Sequence, residues 1–296
     1  WSEENDQKHS PNNEITNVNI IFQIWRGLAA QSRLFQAALL SHYGPTQSYE
    51  PLINTDYDRQ FQTKTVQEWL FGWHDNRFDV PGQNGYFPGI LGKNITDQSQ
   101  VDNLKSSIYT GESYIGNAFH YYSYQNNTSI TTTLGGPAWE SEIASRILGT
   151  DGTRFPPFSV DQTTIQMVHV DEGKRSVPLQ YVKTYNYYDL DLLRLEIAPE
   201  ALYNATINPN NAQWDMYTTG IFNLCKFKFM PMILTQPHFY GCDDSLTTKV
   251  IGLHPDPTKH ITFLGVHHET GLVLDARKAL QSSINTIGPL YIELLS

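Results

Sequence analysis

Apolar residues recur at helical spacing near the start of the chain. The spacings are three, four and seven residues, and the stripe comprises Ile20, Ile21, Ile24, Trp25, Leu28, Phe35 and Leu39. This period predicts one amphipathic helix that ends before Gly44-Pro45. The preceding residues 1–19 are polar and predict a surface segment or a linker. The apolar stripe could contact a protein core or a bound lipid, and the pattern alone allows both.

A second helix is predicted to begin near Val66. A polar loop with Asp56, Asp58 and Arg59 comes first, and the sequence Thr65-Val66-Gln67-Glu68 then matches a capping box. In that motif a hydroxyl and a carboxylate each satisfy one backbone amide at the start of the helix. The apolar face of this helix would carry Trp69, Leu70 and Trp73, again either as core contacts or as lipid contacts.

From Asn76 onward the pattern changes to short strands separated by Gly, Pro, Asn and Asp. Alternating or continuous apolar runs predict strands at residues 166–170, 177–183, 187–197, 227–234, 261–266 and 272–276. The last two flank a five-residue turn that ends in Gly271, as in a hairpin. We therefore predict a β-rich α+β fold. The chain shows no internal repeat and no change of composition that would mark a second domain.

The charge balance bears on possible partners. The chain has 296 residues, with 20 Lys and Arg against 30 Asp and Glu, which gives a formal net charge of -10. This charge opposes attraction to polyanions, so nucleic acid is not expected as a partner. No run of apolar residues approaches the length of a transmembrane helix, and residues 1–6 lack the features of a signal peptide.

Familiar catalytic motifs are missing from the sequence, including the phosphate-binding glycine loop, the nucleophile elbow and the paired-histidine zinc helix. His267-His268-Glu269 is the one cluster of metal-type ligands, but neighbouring residues of a strand point to opposite faces. Asp189 and Asp191 fit a half-exposed strand better than an acid–base pair. We therefore expect no enzyme activity, no metal site and no cofactor.

Cysteines and asparagines supply candidate covalent sites. Cys225 and Cys242 could form a disulfide through one hairpin-like excursion of the chain, or could remain buried free thiols. Four Asn-x-Ser/Thr acceptors occur, at Asn94, Asn126, Asn127 and Asn204. About three such triplets are expected by chance in this composition, so they become glycosylation sites only if the chain is secreted.

Several motifs, in order along the chain, resemble the class B scavenger receptors of the fatty acid translocase and lysosomal integral membrane protein type. The first is the segment around Thr65, Glu68 and Trp69, which continues to Leu70-Phe71-Gly72-Trp73. The others are Trp139-Glu140-Ser141, Gly149-Thr150-Asp151-Gly152-Thr153, Phe155-Pro156-Pro157-Phe158, Pro237-His238-Phe239-Tyr240, Gly252-Leu253-His254-Pro255 and Thr270-Gly271. Their order and spread make the resemblance specific.

The resemblance implies a large, irregular antiparallel β-barrel with a small helical bundle at its apex and a hydrophobic tunnel through it. On this basis residues 1–296 form a single ectodomain fragment, with a helical cap at 20–75 and the barrel core at 76–296. The family also has strands ahead of the cap and a transmembrane helix at each terminus, which this chain lacks. Another polypeptide, or a cleaved segment, is therefore expected to complete the barrel.

The implied function is that of a glycoprotein that binds fatty acid, sterol or phospholipid and transfers it through the tunnel. Its location would be the extracellular face of the plasma membrane or the lysosomal or endosomal lumen, with membrane attachment through segments outside this chain. A structural or adhesion glycoprotein is the alternative.

The resemblance also suggests particular site residues. Candidate ligand contacts on the cap are Ile24, Trp25, Leu28, Phe35, Leu39, Arg59 and Lys64. The last two are the nearest cations where some relatives carry a lysine cluster, so capture of anionic ligands is weakly supported. Cys225 matches a family cysteine position, while Cys242 would substitute for the usual partner.

Overall fold

The computed structural model describes residues 12, 14–18, 61–74, 86–87, 105–131, 136–224, 232–248 and 250–284. The chain divides into two compact units. One comprises residues 1–96, 229–231 and 284–296, and the other comprises residues 97–228 and 232–283. The described residues are rich in β-structure, with few helices. The single ectodomain divided at residue 75 stays a prediction.

In the first unit, strand β1 (Glu14–Val18) pairs antiparallel with β2 (Phe61–Thr65). Helix α1 (Val66–Phe71) follows directly, and the two-residue strands β3 (Trp73–His74) and β4 (Tyr86–Phe87) pair with each other. The prediction of a polar linker for residues 1–19 is therefore wrong at Glu14–Val18. Ile15, Thr16 and Val18 are β-branched and suit a strand, but their partner lies too far along the chain for local pattern to reveal it.

The second unit is built mainly from antiparallel strands. They are β5 (Ser107–Ile108), β6 (Tyr121–Ser123), β7 (Gln166–Val170), β8 (Arg175–Tyr187), β9 (Leu190–Ile197), β10 (Phe222–Asn223), β11 (Met232–Thr235), β12 (Phe263–His267), β13 (Val273–Arg277) and β14 (Gln281–Ile284). Two four-residue helices, α2 (Glu142–Ser145) and α3 (Pro257–His260), lie between them. Five 3-10 turns complete the described elements: Ile115–Asn117, Pro199–Ala201, Pro209–Trp214, Pro237–Phe239 and Asp244–Leu246.

Five of these strands form the principal sheet, in the order β13-β12-β9-β8-β7. Each neighbouring pair is antiparallel. Five predicted strands are thus confirmed as strands: 166–170, 177–183, 187–197, 261–266 and 272–276. The first has the predicted ends, and the ends of the other four are shifted. Of the predicted strand at 227–234, β11 confirms the last three residues, and residues 227–231 lie outside the described part of the chain.

One face of the principal sheet is continuously apolar. Its buried cluster comprises Val168, Val177, Leu179, Leu193, Leu195 and Val266 from the strands, with Phe155 and Val160 from the chain ahead of β7. These strand residues follow the two-residue period of an antiparallel sheet with one buried face. Burying a side chain of this size stabilises the fold by about 1.5–3 kcal/mol, so this face is the main source of stability in the second unit.

Residues 149–158, which we call the joining segment, connect the two outer strands of the sheet. At one end the amide of Thr150 donates to the Met167 carbonyl at 3.1 Å, and the Thr150 carbonyl accepts from the His169 amide at 2.9 Å. At the other end the Phe155 amide donates to the carbonyl of Gly271 in the β12–β13 turn at 2.8 Å, and the Val273 amide of β13 donates to the Thr153 carbonyl at 3.3 Å. Because one short segment contacts both outer strands, the sheet is curled into a half-barrel.

Candidate functional site

Residues 61–74 are the described part of the predicted cap, and they include Lys64 and α1. The capping box is confirmed, because the Glu68 amide donates to Thr65 Oγ1 at 3.1 Å while the Thr65 amide donates to Glu68 Oε2 at 2.9 Å. Burial opposes the charge on Glu68, but hydrogen bonds from Thr65 and the charge of Lys64 outweigh it and lower the pKa of this carboxyl. The start of α1 is therefore fixed by its own sequence.

The apolar face predicted for this helix is mostly buried. Trp69 and Trp73 are both buried, and their rings meet edge to face with centroids 5.3 Å apart. Lys64 lies over the Trp73 ring at 5.5 Å from Nζ to the centroid, and its Nζ is 3.6 Å from Glu68 Oε1. The tryptophans therefore act as core contacts, and the charge of Lys64 is already balanced locally. A role for Lys64 in ligand binding stays a prediction.

The remaining predicted cap contacts lie outside the described residues. They are Ile24, Trp25, Leu28, Phe35, Leu39 and Arg59. The helix predicted at residues 20–39 is likewise outside the described part, and within the range 61–74 the chain forms two strands as well as α1. The described residues contain no helix of the length and apolarity needed to cross a membrane.

The second face of the principal sheet carries a polar network. Arg194 Nε donates to Glu196 Oε1 at 2.6 Å, and the Arg194 guanidinium lies 3.8 Å from the centroid of the Phe263 ring. Tyr185 reaches from β8 to β13, where its hydroxyl donates to Asp275 Oδ2 at 2.7 Å. A Cβ at Gly265 would lie 2.2 Å from that hydroxyl, so glycine at this position makes room for the contact. The sheet is thus apolar on one side and hydrogen-bonded on the other.

Sequence reasoning missed Arg175, which is buried at 2% exposure in an aromatic slot. Its guanidinium lies 4.2 Å from the Trp214 ring centroid and 5.3 Å from that of Phe222, and its Nη1 is 2.9 Å from Met216 Sδ. Burial lowers its pKa to about 10, and no carboxylate pairs with it among the described residues. In the sequence this arginine follows Gly-Lys and looks like an ordinary turn cation, so no local signal marks it.

A second missed site is the buried His169 on β7. Its ring packs against Tyr121 and Tyr124, with centroids 6.0 Å and 4.9 Å away, and its Nδ1 is 3.4 Å from Ser176 Oγ. Burial lowers its pKa to about 4, an effect that the charge of Lys174 reinforces and those of Asp171 and Glu172 oppose. Ser176 Oγ already accepts the Leu148 amide and is buried, so the pair has the packing of a core contact rather than that of a nucleophile with its base.

The sequence candidates for metal binding and acid–base chemistry are separated in space or exposed. His267 Nδ1 lies 3.0 Å from Thr270 Oγ1, whereas His268 Nδ1 lies 2.6 Å from the Val160 carbonyl oxygen. Asp189 is exposed at the β8–β9 turn with a φ of 63°. Across the described ranges, no three His, Cys, Asp or Glu side chains are placed to hold a metal ion.

Cys242 is half-buried, and no described cysteine is bonded to it. Burial and the neighbouring Asp243 raise the pKa of this thiol to about 12, so it is protonated at neutral pH and a poor nucleophile. Cys225 lies outside the described residues, and the disulfide between the two stays a prediction.

Three of the four candidate glycosylation sites are described. Asn126 is exposed with a φ of 63°, and Asn127 is exposed but donates through Nδ2 to the Gln125 carbonyl at 2.9 Å. Asn204 Oδ1 accepts the amides of Thr206 and Ile207, both at 3.0 Å. Asn94 lies outside the described part. All four stay predictions.

The comparisons with known proteins agree with the motifs. The family model described as CD36 family matches residues 1–292, so the chain belongs to the CD36 family. The resemblance to class B scavenger receptors is therefore confirmed.

Among the similar proteins, scavenger receptor class B member 1 of Bos taurus is 29% identical over 235 residues, covering 76% of this chain and 44% of the relative. Lysosome membrane protein 2 of Homo sapiens is 27% identical over 247 residues, covering 79% of this chain and 48% of the relative. The chain thus spans about half the length of the curated relatives it matches. The comparisons do not support the expected completing polypeptide.

Proposed function

We propose that this chain is the ligand-binding portion of a scavenger-receptor-like glycoprotein that binds fatty acid, sterol or phospholipid and transfers it through an internal tunnel. The observation that carries the proposal is the curled principal sheet with one continuously apolar face, in a chain that belongs to the CD36 family. A curled sheet of this kind supplies one wall of a barrel whose interior can hold acyl chains.

In this proposal the half-barrel extends into a large irregular antiparallel β-barrel, and the helix predicted at residues 20–39 belongs with α1 to a helical apex at the tunnel entrance. The protein acts without catalysis and without a cofactor. It works at the extracellular face of the plasma membrane or in the lysosomal or endosomal lumen, in keeping with relatives named as a scavenger receptor and a lysosome membrane protein. It is attached to the membrane by segments outside this chain.

Native mass spectrometry of the purified glycoprotein tests lipid binding directly. We expect a defined adduct with the mass of fatty acid, sterol or phospholipid. Leu28→Glu places a charge on the predicted apolar stripe and should reduce the adduct at least about fivefold. Ala30→Glu introduces the same charge on the opposite face of the predicted helix and should leave the adduct unchanged. Lipid-free protein, or equal effects of the two variants, would contradict the proposal.

A structural or adhesion glycoprotein is the second candidate, and the packing of the apolar face favours it. Phe155, Leu195 and Val266 are all 0% exposed, so side chains of the protein itself fill the space against the described sheet. A photoactivatable fatty acid separates the two functions. Labelled peptides from residues 20–39 and the apolar face support transfer, whereas labelling confined to exposed turns such as residues 188–189 supports adhesion.

A further inference from the structure

A stacked pair of histidines lies beside two of the family motifs, 237–240 and 252–255. His238 lies in the 3-10 turn Pro237–Phe239 with a φ of 53°, and His260 is the last residue of α3. Their imidazole rings stack with centroids 4.4 Å apart and planes 6° from parallel. The side chains therefore contact each other across more than twenty residues of intervening chain.

Each ring also accepts one backbone hydrogen bond from the segment between them. The His254 amide donates to His238 Nδ1 at 3.0 Å, and the Asp256 amide donates to His260 Nδ1 at 2.9 Å. An imidazole nitrogen that accepts an N–H carries no proton, so both rings are neutral with the proton on Nε2. The bond from His254 ties its segment to the 3-10 turn, and the bond from Asp256 fixes the His260 ring so that it can stack on His238.

Protonation of either ring would break this arrangement. A proton on Nδ1 turns the acceptor into a donor that faces another N–H, so the backbone bond is lost. Two imidazolium rings stacked at this distance would also repel each other, whereas neutral rings pack well. Both effects act on the same short segment and in the same direction.

The charged groups around the pair set its response to pH. Asp256 and Lys259 lie on the same segment as His260, His254 is exposed beside His238, and Arg277 of β13 donates to the Thr258 carbonyl. From β14 the neutral Gln281 accepts the His238 amide at 2.9 Å. Burial and the charges of His238, Lys259 and Arg277 lower the pKa of His260, while Asp256 opposes them. The neutral form of His260 therefore persists to a lower pH than in an ordinary histidine.

We propose that His238 and His260 form an acid-sensitive latch that holds residues 252–260 against the Pro237–Phe239 turn at neutral pH and releases them when the rings are protonated. The three histidines, with Asp256 and Lys259, line an open surface pocket. Release of the latch changes the shape of that pocket and adds positive charge to it. An acidic compartment would thus alter this surface while the principal sheet stays folded.

Nuclear magnetic resonance of the full chain tests the latch. At a pH of about 7.5 both rings should show the Nε2–H tautomer, and the amides of His254 and Asp256 should be protected from exchange. Toward a pH of about 4.5, their protection, corrected for the intrinsic exchange rate, should fall about tenfold or more, with midpoints that match the imidazole titrations. The backbone amides of Leu195 and Val266 in the core should stay protected over the same pH range, which would show that the sheet remains folded.

Paired variants separate the latch from simple packing. In His238→Gln and His260→Gln the amide oxygen of glutamine can still accept the backbone N–H but does not titrate. Protection of the His254 amide should become independent of pH in His238→Gln, and protection of the Asp256 amide should do so in His260→Gln. His268→Gln in the β12–β13 turn is the matched control and should keep the wild-type response. If a variant loses protection at both pH values, the proposal is judged from the wild-type protein alone. The test is then whether the pH midpoints of its amide protection match those of its imidazole titrations. An Nδ1–H tautomer at neutral pH, or protection that does not follow the ring titrations, would overturn the proposal.

Discussion

At the scale of single residues, two buried side chains on neighbouring strands have pKa values that burial lowers. His169 of β7 is directly opposite Ser176 in the β7–β8 register, and Arg175 is opposite Val170 one position away. Burial works against the charged form of both groups, lowering the pKa of His169 to about 4 and that of Arg175 to about 10. Each therefore makes a different and measurable contribution to stability.

His169 should make the protein less stable in acid. Its pKa is about 4 when folded and 6.5 in the unfolded reference, so the unfolded chain takes up the proton first as the pH falls. Stability is therefore lost progressively between these two values, by about 3 kcal/mol in total. In His169→Phe, urea unfolding followed across this range should show a correspondingly smaller loss. His267→Gln removes a histidine from the end of β12 as a control, and an unchanged loss of stability in His169→Phe would show that other groups dominate.

Arg175 tests whether a buried cation without a carboxylate partner stabilises its site. Met is apolar and of similar length, so Arg175→Met should fill the slot beside Trp214 and stay within about 1 kcal/mol of the wild type in free energy of unfolding. Arg175→Lys keeps a buried charge but loses the planar stacking, and should cost about 1–3 kcal/mol. Denaturant unfolding measures the free energy of unfolding of both variants and shows which of the two is less stable. A larger loss for Met than for Lys would mean that the guanidinium pairs with an anion.

At the scale of elements, the joining segment depends on a glycine at the β12–β13 turn. Gly271 has a φ of 70°, and a Cβ there would lie 2.0 Å from the Phe155 carbonyl oxygen, which belongs to the joining segment. Gly252 has a similar φ of 95°, but a Cβ there would meet nothing within 4 Å. The two positions therefore separate backbone strain from steric overlap.

Gly271→Ala should destabilise the protein by at least about 2 kcal/mol more than Gly252→Ala. Both variants incur the cost of a left-handed residue, about 1 kcal/mol, but only Gly271→Ala also pushes the joining segment away from the hairpin. Hydrogen exchange should show the extra loss at the amides of Phe155 and Val273. Equal unfolding free energies for the two variants would mean that the joining segment adapts to the added methyl group without cost.

Local pattern predicted those elements whose signal is contained in a few consecutive residues. Strand β7 and the capping box of α1 are examples, since alternation or a fixed spacing specifies each. Strand β8 runs past its predicted end because β9 still supplies backbone partners as far as Tyr187, although Lys183 and Thr184 are exposed and give no apolar alternation there. Strand β1 and the slot around Arg175 depend on residues far along the chain, so no local signal could reveal them. The family motif at 149–153 was recognised, but its contacts with both outer strands required the structure.

At the scale of the whole molecule, a lumenal or extracellular location predicts that the chain is N-glycosylated. The chain carries four acceptor triplets, and the proposed receptor would pass through the secretory pathway with them. The folded protein must then place each attached sugar in solvent. Asn126 is exposed, and Asn204 uses its Oδ1 rather than its Nδ2 in the local turn, so both leave the reactive nitrogen available. Asn127 instead donates through Nδ2 to the Gln125 carbonyl.

We therefore expect glycans on Asn126 and Asn204 and none on Asn127. Enzymatic deglycosylation in water enriched in oxygen-18 converts each occupied asparagine to an aspartate that carries the heavy oxygen, so peptide mass spectrometry can assign the sites individually. Asn126→Gln and Asn204→Gln should each lower the mass of the secreted protein by one glycan, and Asn127→Gln should leave it unchanged because the triplet at Asn126 survives. A glycan on Asn127 in place of Asn126 would show that the glycosylated asparagine is selected before this turn folds. Unmodified asparagines throughout would contradict the lumenal location itself, and with it the proposed receptor.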